Sequence, residues 1–70
     1  MAYFRPDNTD GYDKAELDML NEAWESLPIS AADSDDLAVK SVQDYIAAEL
    51  LMWFDLGRRG ADLTRFYYEE

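Results

Sequence analysis

Cysteine and histidine are both absent from this chain of 70 residues. Without cysteine, the fold cannot be held by a disulfide or by a zinc–thiolate site. Without histidine, the commonest metal ligand and the usual general base of an enzyme are missing as well. A chain this short buries only about 60% of the surface that its unfolded form exposes. The core must therefore be thin, and built from leucine, methionine and the aromatic residues.

Basic residues are scarce as well, with six lysines and arginines against sixteen aspartates and glutamates and a formal charge of −10. This balance argues against direct binding to DNA, RNA or anionic lipid, because those ligands are bound through lysine and arginine. The N-terminus has neither the basic start nor the apolar run of a signal peptide. The apolar run at residues 50–54 is far shorter than the roughly 18 residues that a membrane helix needs. We therefore expect a soluble cytoplasmic protein that contacts neither nucleic acid nor membrane.

Hydrophobic residues make up 49% of the chain, too many for a disordered segment, and their spacing predicts a single small all-α domain. A first helix is expected over about residues 14–27, with Asp13 as its N-cap and Glu16 completing a capping box. Pro28 ends this helix. Its apolar stripe consists of Leu17, Leu20, Trp24 and Leu27.

A second helix is expected over about residues 31–57, where Ser30 or Ser34 provides the N-cap and Gly57 the end. The side predicted to face the core consists of Ala38, Val39, Val42, Tyr45, Ile46, Trp53 and Leu56. The second half of this helix is apolar almost all round, and such a segment requires burial on more than one face. We expect the first helix to cover one side and the chain after Gly57 to cover the other.

The two ends of the chain are predicted from shorter patterns. Residues 1–12 form an extended leader with turn-favouring residues, and Tyr3 and Phe4 are placed to fold back on the core. Residues 61–68 are expected to form a short third helix with an apolar edge. A β-strand paired with residues 2–4 is the alternative, because phenylalanine, tyrosine and threonine favour strands.

Patterns for metal binding or catalysis are weak in this sequence. Residues 6–13 resemble a calcium-binding loop, but Leu17 stands where such a loop needs a bidentate glutamate. The aspartates of residues 33–36 fit a solvated helix N-terminus better than a cation site. Catalytic carboxylates need a pocket and a shifted pKa, for which a small helical protein has little room. We therefore expect no metal, no cofactor and no enzymatic activity.

Glu49 is unusual because it lies within the predicted apolar arc of the second helix. A buried carboxylate without a partner costs several kcal/mol. One interpretation is that it lies at the edge of the core or pairs with one of the arginines of the C-terminal segment, Arg58, Arg59 or Arg65. The other is that Glu49 awaits a cation supplied by a partner.

The strongest functional signal is the acidic array of Asp18, Glu22, Glu25, Asp33, Asp35, Asp36 and Asp44. Carboxylates on adjacent helical turns lie about 5 to 6 Å apart, close to the separation of successive phosphates along a nucleic-acid strand. A helix from Asp35 to Leu56 is roughly 33 Å long and spans about one turn of duplex. Such an array fits the lysine- and arginine-lined groove of a nucleic-acid-binding protein, with Tyr12, Tyr45 or Tyr67 as a possible anchor. The alternative is that the acidity only keeps a small protein in solution.

In size, acidity, helical build and lack of cysteine and histidine, the chain resembles the small anti-CRISPR proteins of phages and mobile elements, several of which look like nucleic acid to their targets. The resemblance is carried by the seven carboxylates just named, covers the whole chain loosely and includes no family motif. It implies a non-enzymatic inhibitor that binds a CRISPR effector complex in the host cytoplasm and blocks target DNA.

A second hypothesis is a helical interaction module or homodimer that acts through its apolar surface. In that case Leu51, Phe54 and the aromatic residues of the C-terminal segment form the interface, and the acidic residues face solvent. Whether the protein is a monomer or a homodimer separates the two hypotheses.

Overall fold

The computed structural model describes residues 3–33 and 35–68, and over these residues the fold is all-α, as predicted. Its elements in chain order are α1 (Lys14–Glu25), a 3₁₀ turn (Pro28–Ala31), α2 (Leu37–Asp55), a second 3₁₀ turn (Gly60–Thr64) and α3 (Arg65–Tyr68). The β-strand considered for the C-terminal segment is wrong, because residues 60–68 form these two short helical elements.

The first helix begins where the sequence predicts. The Glu16 backbone N–H donates to the Asp13 carboxylate at 2.8 Å, and the Asp13 N–H donates to the Glu16 carboxylate at 3.0 Å. This capping box satisfies two donors near the helix N-terminus that would otherwise lack partners. From there α1 presents Leu17, Leu20 and Trp24 to the core.

The capping box gives a simple stability prediction. We expect Asp13→Ala to lower the free energy of unfolding by about 1 kcal/mol, because the Glu16 N–H loses its acceptor. Urea denaturation followed by circular dichroism measures this change. Asp10→Ala is the control, since Asp10 is exposed and precedes the cap. Equal stability of the two variants would contradict the role of Asp13.

The second helix begins six residues later than the sequence predicts. Asp36 is its N-cap and accepts from the Ala38 N–H at 2.9 Å. The expectation that Ser30 caps this helix is wrong, because its hydroxyl donates to the Leu27 carbonyl at 2.7 Å within the first 3₁₀ turn. Ser34, the other predicted cap, lies outside the described residues.

A buried glutamine explains the late start of α2. The Gln43 side-chain amide donates to the Ile29 carbonyl at 3.0 Å and to the Ala32 carbonyl at 3.3 Å. Gln43 is almost fully buried, so these bonds satisfy a polar group that would otherwise be costly. They also hold residues 28–32 against the side of α2. These residues therefore form a separate turn and do not become the first residues of the helix.

The inward face of α2 differs from the predicted one. Its buried residues are Gln43, Ala47, Leu50 and Phe54. Val42, Tyr45 and Leu56, which were expected in the core, are 47%, 65% and 70% exposed. Hydrophobic periodicity failed here because α2 carries apolar residues on nearly every side, so no single face stands out.

The two ends of the chain close the core, as the sequence predicts. Phe4 is 3% exposed, and the Tyr3 ring lies 4.6 Å from the Trp24 ring. The Asn21 side chain fixes this segment, because it accepts from the Phe4 N–H and donates to the Phe4 carbonyl, both at 2.8 Å. At the other end Leu63 is buried in the same core.

Gly57 reverses the chain after α2, with a φ of 96° that favours glycine. The reversal brings the C-terminal segment back along α2, where the Phe66 ring lies 5.6 Å from the Trp53 ring. The prediction that this segment covers a second side of α2 is therefore confirmed.

Candidate interaction surfaces

Three of the predicted carboxylates share one exposed side of α1. Asp18, Glu22 and Glu25 recur at the spacing that places residues on one helix face, and this face lies opposite the buried stripe of α1. All three residues are exposed. Only Asp18 has a cationic partner among the described residues, the Lys14 Nζ at 3.3 Å. We call Asp18, Glu22 and Glu25 the acidic face.

The other four predicted carboxylates lie on other elements. Asp36 caps α2, and the Asp33 carboxylate accepts from the Asp35 N–H at 3.0 Å. Asp44 lies on α2, where it accepts from the Tyr3 hydroxyl and pairs with the Lys40 Nζ at 3.3 Å. The seven carboxylates are thus divided among α1, the linker before α2 and α2 itself, and several already serve the fold.

Two tyrosine–aspartate hydrogen bonds, which sequence reasoning missed, tie the leader to α2. The Tyr3 hydroxyl donates to Asp44, and the Tyr12 hydroxyl donates to Asp55 at 2.6 Å. The two aspartates are about three helical turns apart, so they lie on the same side of α2. The spacing of the two aspartates is the only sign of these hydrogen bonds in the sequence. It does not reveal which tyrosines donate to them.

These bonds shift the pKa values of the groups involved. Burial, with the hydrogen bond to Asp44, raises the pKa of Tyr3 to about 12. The hydrogen bond to Asp55, with burial, raises the pKa of Tyr12 to about 12. Donation by the Tyr3 hydroxyl holds the pKa of Asp44 below its usual value, and Lys40 acts in the same direction.

The signs of these shifts fix the pH range over which the bonds stabilise the fold. The contribution of Tyr3 and Tyr12 is fully present below about pH 10 and is lost as the pH rises toward about 12. The contribution of Asp44 is present above the pKa of an unfolded aspartate, about 3.9, and is lost as the pH falls through its lower folded pKa.

Tyrosine titration checks the two phenol bonds. The wild-type protein should keep a protonated tyrosine fraction at pH 11 that a Tyr3→Phe, Tyr12→Phe double variant lacks, because both phenols have a pKa of about 12. Absorbance at 295 nm measures tyrosinate. Tyr45→Phe is the matched control, since Tyr45 is 65% exposed, and it should retain that fraction. Loss of the fraction in the control, or its survival in the double variant, would contradict this assignment.

Of the three tyrosines considered as anchors, Tyr12 is already engaged. Its ring lies 5.9 Å from the Phe54 ring, in addition to its bond to Asp55. Tyr45 and Tyr67 instead border one groove beside α2, with a volume of about 320 Å³. We call it the Glu49 groove, and its lining residues are Tyr45, Ile46, Glu49, Phe66 and Tyr67.

Glu49 lies half-buried at the edge of the core, and no hydrogen bond or ion pair joins it to another of the described residues. The predicted pairing with an arginine is not observed over residues 3–33 and 35–68. The Arg58 guanidinium lies 4.4 Å from the Trp53 ring centre, and that of Arg59 lies 3.6 Å from the Phe54 ring centre. Arg65 pairs with Asp62 at 3.4 Å.

The solvent side of α2 carries large apolar residues. Val42, Tyr45, Met52 and Leu56 are 47% to 70% exposed, and with Glu49 they alternate at spacings of three and four residues. That alternation places side chains along one helix face, as in a coiled-coil seam. We call these five residues the apolar seam.

Of the two residues expected at an interface on α2, Phe54 is packed inside the protein and Leu51 packs against the core. Phe54 is 2% exposed, and Leu51 is partly buried against the same core. The expectation that Phe54 meets a partner is therefore wrong, whereas Leu51 keeps part of its surface exposed. The available apolar surface of α2 is the seam on its opposite side.

Within residues 3–33 and 35–68, no three acidic side chains converge as a metal site requires. In the same part of the chain, no helix is both long enough and apolar enough to cross a lipid bilayer. Comparisons with protein-family models, with curated proteins and with solved structures give no match for this chain.

Proposed function

We propose that this protein is a non-enzymatic inhibitor whose acidic face occupies a lysine- and arginine-lined nucleic-acid groove of another protein. The observation that carries the proposal is the exposure of Asp18, Glu22 and Glu25 on one side of α1, with only Asp18 paired among the described residues. Carboxylates on successive turns lie about 5 to 6 Å apart, a spacing that lysines and arginines placed for successive phosphates would meet.

The core beneath α1 supports the proposal, because it fixes the helix that carries these three carboxylates. Leu20 is fully buried on the opposite side of the helix, and Leu17 and Trp24 flank it. A pattern fixed before binding costs less conformational entropy than one ordered by the partner. The net charge of −10 adds long-range attraction toward a basic partner, which mainly raises the association rate.

A CRISPR effector complex is the partner that we propose. Such a complex holds nucleic acid in a positively charged channel and contacts its backbone. The protein would compete with target DNA for that channel, one inhibitor per complex, and would leave both DNA and effector chemically unchanged.

The test is a competition experiment with purified CRISPR effector complexes and fluorescently labelled target duplex. Anisotropy should fall as the protein is added, and the effector should recover its DNA binding when the protein is removed. Unrelated basic DNA-binding proteins serve as comparators for selectivity. Undiminished DNA binding by every effector at saturating protein would contradict the proposed partner.

Ionic strength provides a further prediction for the same complex. Raising the salt concentration from about 50 to about 200 mM should weaken inhibition at least about tenfold, because exposed charge pairs are screened and bound counterions are released. The dissociation constant measured across this range checks the effect. An affinity that is flat with salt would contradict an interface built on the acidic face.

The apolar seam favours a second candidate, a homodimer formed through α2. Sedimentation equilibrium separates the two candidates, because the monomer has a mass of 8.1 kDa. A dimer that dissociates in Leu56→Lys, but not in Lys14→Ala on α1, would support this candidate. A monomer at high micromolar concentration would contradict it.

A further inference from the structure

The Glu49 groove combines one carboxylate with three aromatic rings. Glu49 comes from the middle of α2, Tyr45 lies one turn before it, and Phe66 and Tyr67 come from α3. Its volume of about 320 Å³ is at the small end of ligand-binding pockets. This size suits a single side chain rather than a folded segment.

The chemistry of the lining selects a cation. The electron-rich faces of tyrosine and phenylalanine attract a positive charge placed over them, and a carboxylate beside them supplies the countercharge. Glu49 is half-buried and has no partner among the described residues. A carboxylate at such a position is screened less by water than a fully exposed one, so its attraction to a nearby cation is stronger.

We infer that the Glu49 groove binds an arginine side chain of the partner protein, an inference that rests on the proposed function. A guanidinium is planar, stacks on aromatic rings and donates two parallel hydrogen bonds to one carboxylate. It is also more weakly hydrated than the ammonium of lysine, so it enters a partly apolar groove more readily.

Two arginine–aromatic contacts within the protein show guanidinium groups packed against its aromatic rings. The Arg58 and Arg59 guanidinium carbons lie 4.4 Å from the Trp53 ring centre and 3.6 Å from the Phe54 ring centre. These rings belong to the turn of α2 that follows Glu49. The groove offers similar rings together with a carboxylate, and its lining among the described residues includes no arginine.

This site gives the inhibitor an anchor that the acidic face lacks. Exposed charges raise the association rate more than the affinity, whereas an arginine held between aromatic rings and a carboxylate is typical of an interface hot spot. The acidic face then attracts the basic partner, and the Glu49 groove retains it.

The inference is tested by NMR titration of the intact protein with N-acetyl-arginine amide. Chemical-shift changes should concentrate at Tyr45, Glu49, Phe66 and Tyr67. N-acetyl-citrulline amide, which has nearly the same shape without the charge, and N-acetyl-lysine amide should bind at least about fivefold more weakly, because neither combines charge with a planar fork. Equal binding of either probe would overturn the assignment to arginine.

Glu49→Gln should weaken binding of the arginine probe at least about tenfold, since a neutral amide lacks the countercharge. Asp10→Asn is the control, a carboxylate-to-amide change at an exposed position outside both the groove and the acidic face, and it should leave the affinity within about twofold. Tyr45→Ala is a second variant at an exposed position, so the fold should survive it, and it should also weaken binding. Unchanged affinity in Glu49→Gln, or shift changes confined to the acidic face, would overturn the inference.

The same probes separate this inference from the proposed function. If the protein still competes with DNA although the arginine probe does not bind, the groove assignment alone is contradicted. If the probe binds in the groove but the protein inhibits no effector, the proposed function alone is contradicted.

Discussion

Leu50→Ala is expected to lower the free energy of unfolding by about 2 to 5 kcal/mol, which leaves the protein largely unfolded at 37 °C. Leu50 is fully buried at the centre of the inward face of α2, so its truncation removes apolar contacts and leaves a cavity. The effect is large relative to the total free energy of unfolding, because a core of this size rarely supplies more than about 3 to 5 kcal/mol of net stability.

Leu56→Ala is the matched control for this prediction, because it makes the same chemical change at the C-cap of α2, at a position that is 70% exposed. It should change stability by no more than about 0.5 kcal/mol. Urea denaturation followed by circular dichroism at 222 nm compares the two variants. A greater loss in Leu56→Ala would contradict the observed orientation of α2 and restore the face that hydrophobic periodicity predicts.

Neutralising the acidic face is expected to have the largest effect on function. A triple variant with Asp18→Asn, Glu22→Gln and Glu25→Gln should inhibit DNA binding by the partner at least about tenfold more weakly, because each lost charge removes one pairing with a basic residue of the groove. Its fold should survive. The residues are exposed, and the Lys14–Asp18 pair that is lost is worth only about 0.3 to 0.5 kcal/mol.

A second triple variant controls for net charge. Asp7→Asn, Asp10→Asn and Asp62→Asn remove the same number of charges from exposed positions outside α1. Inhibition by this variant should fall by less than about threefold, because only the long-range attraction changes. Equal weakening of inhibition by the two triple variants would mean that total charge, rather than the acidic face, determines binding.

The parts of this structure that the sequence predicts correctly are those governed by local interactions. The capping box of Asp13 and Glu16 joins residues three apart, so it is visible in the chain before any tertiary contact is known. The apolar stripe of α1 can be recognised in the sequence because carboxylates occupy the opposite side of the helix. The same contrast places Asp18, Glu22 and Glu25 on one exposed face.

The parts that the sequence does not predict depend on contacts between distant residues. The start of α2 follows from Gln43 binding carbonyls 11 and 14 positions earlier, and a glutamine on a helix is usually exposed. Similarly, Tyr12 was considered as an anchor, but its bond to Asp55 spans 43 positions. Nothing in the local pattern distinguishes this tyrosine from one that faces solvent.

The orientation of α2 fails for a different reason, namely an excess of apolar residues. Val42, Tyr45 and Leu56 form as regular a stripe as Ala47, Leu50 and Phe54 do, so periodicity offers two inward faces. The packing of α1 and the two chain ends selects one of them. The unselected face remains exposed as the apolar seam, which is why the homodimer candidate uses that face and not the buried Phe54.

Carboxyl footprinting of the inhibited complex tests the proposed interface most directly. Free and effector-bound protein are treated with a carbodiimide and an amine, and mass spectrometry measures the labelling of each acidic residue. We predict that Asp18, Glu22 and Glu25 lose reactivity on binding while Asp7 and Asp10 keep theirs. If the three residues of the acidic face label equally in the free and bound protein, the central claim is contradicted.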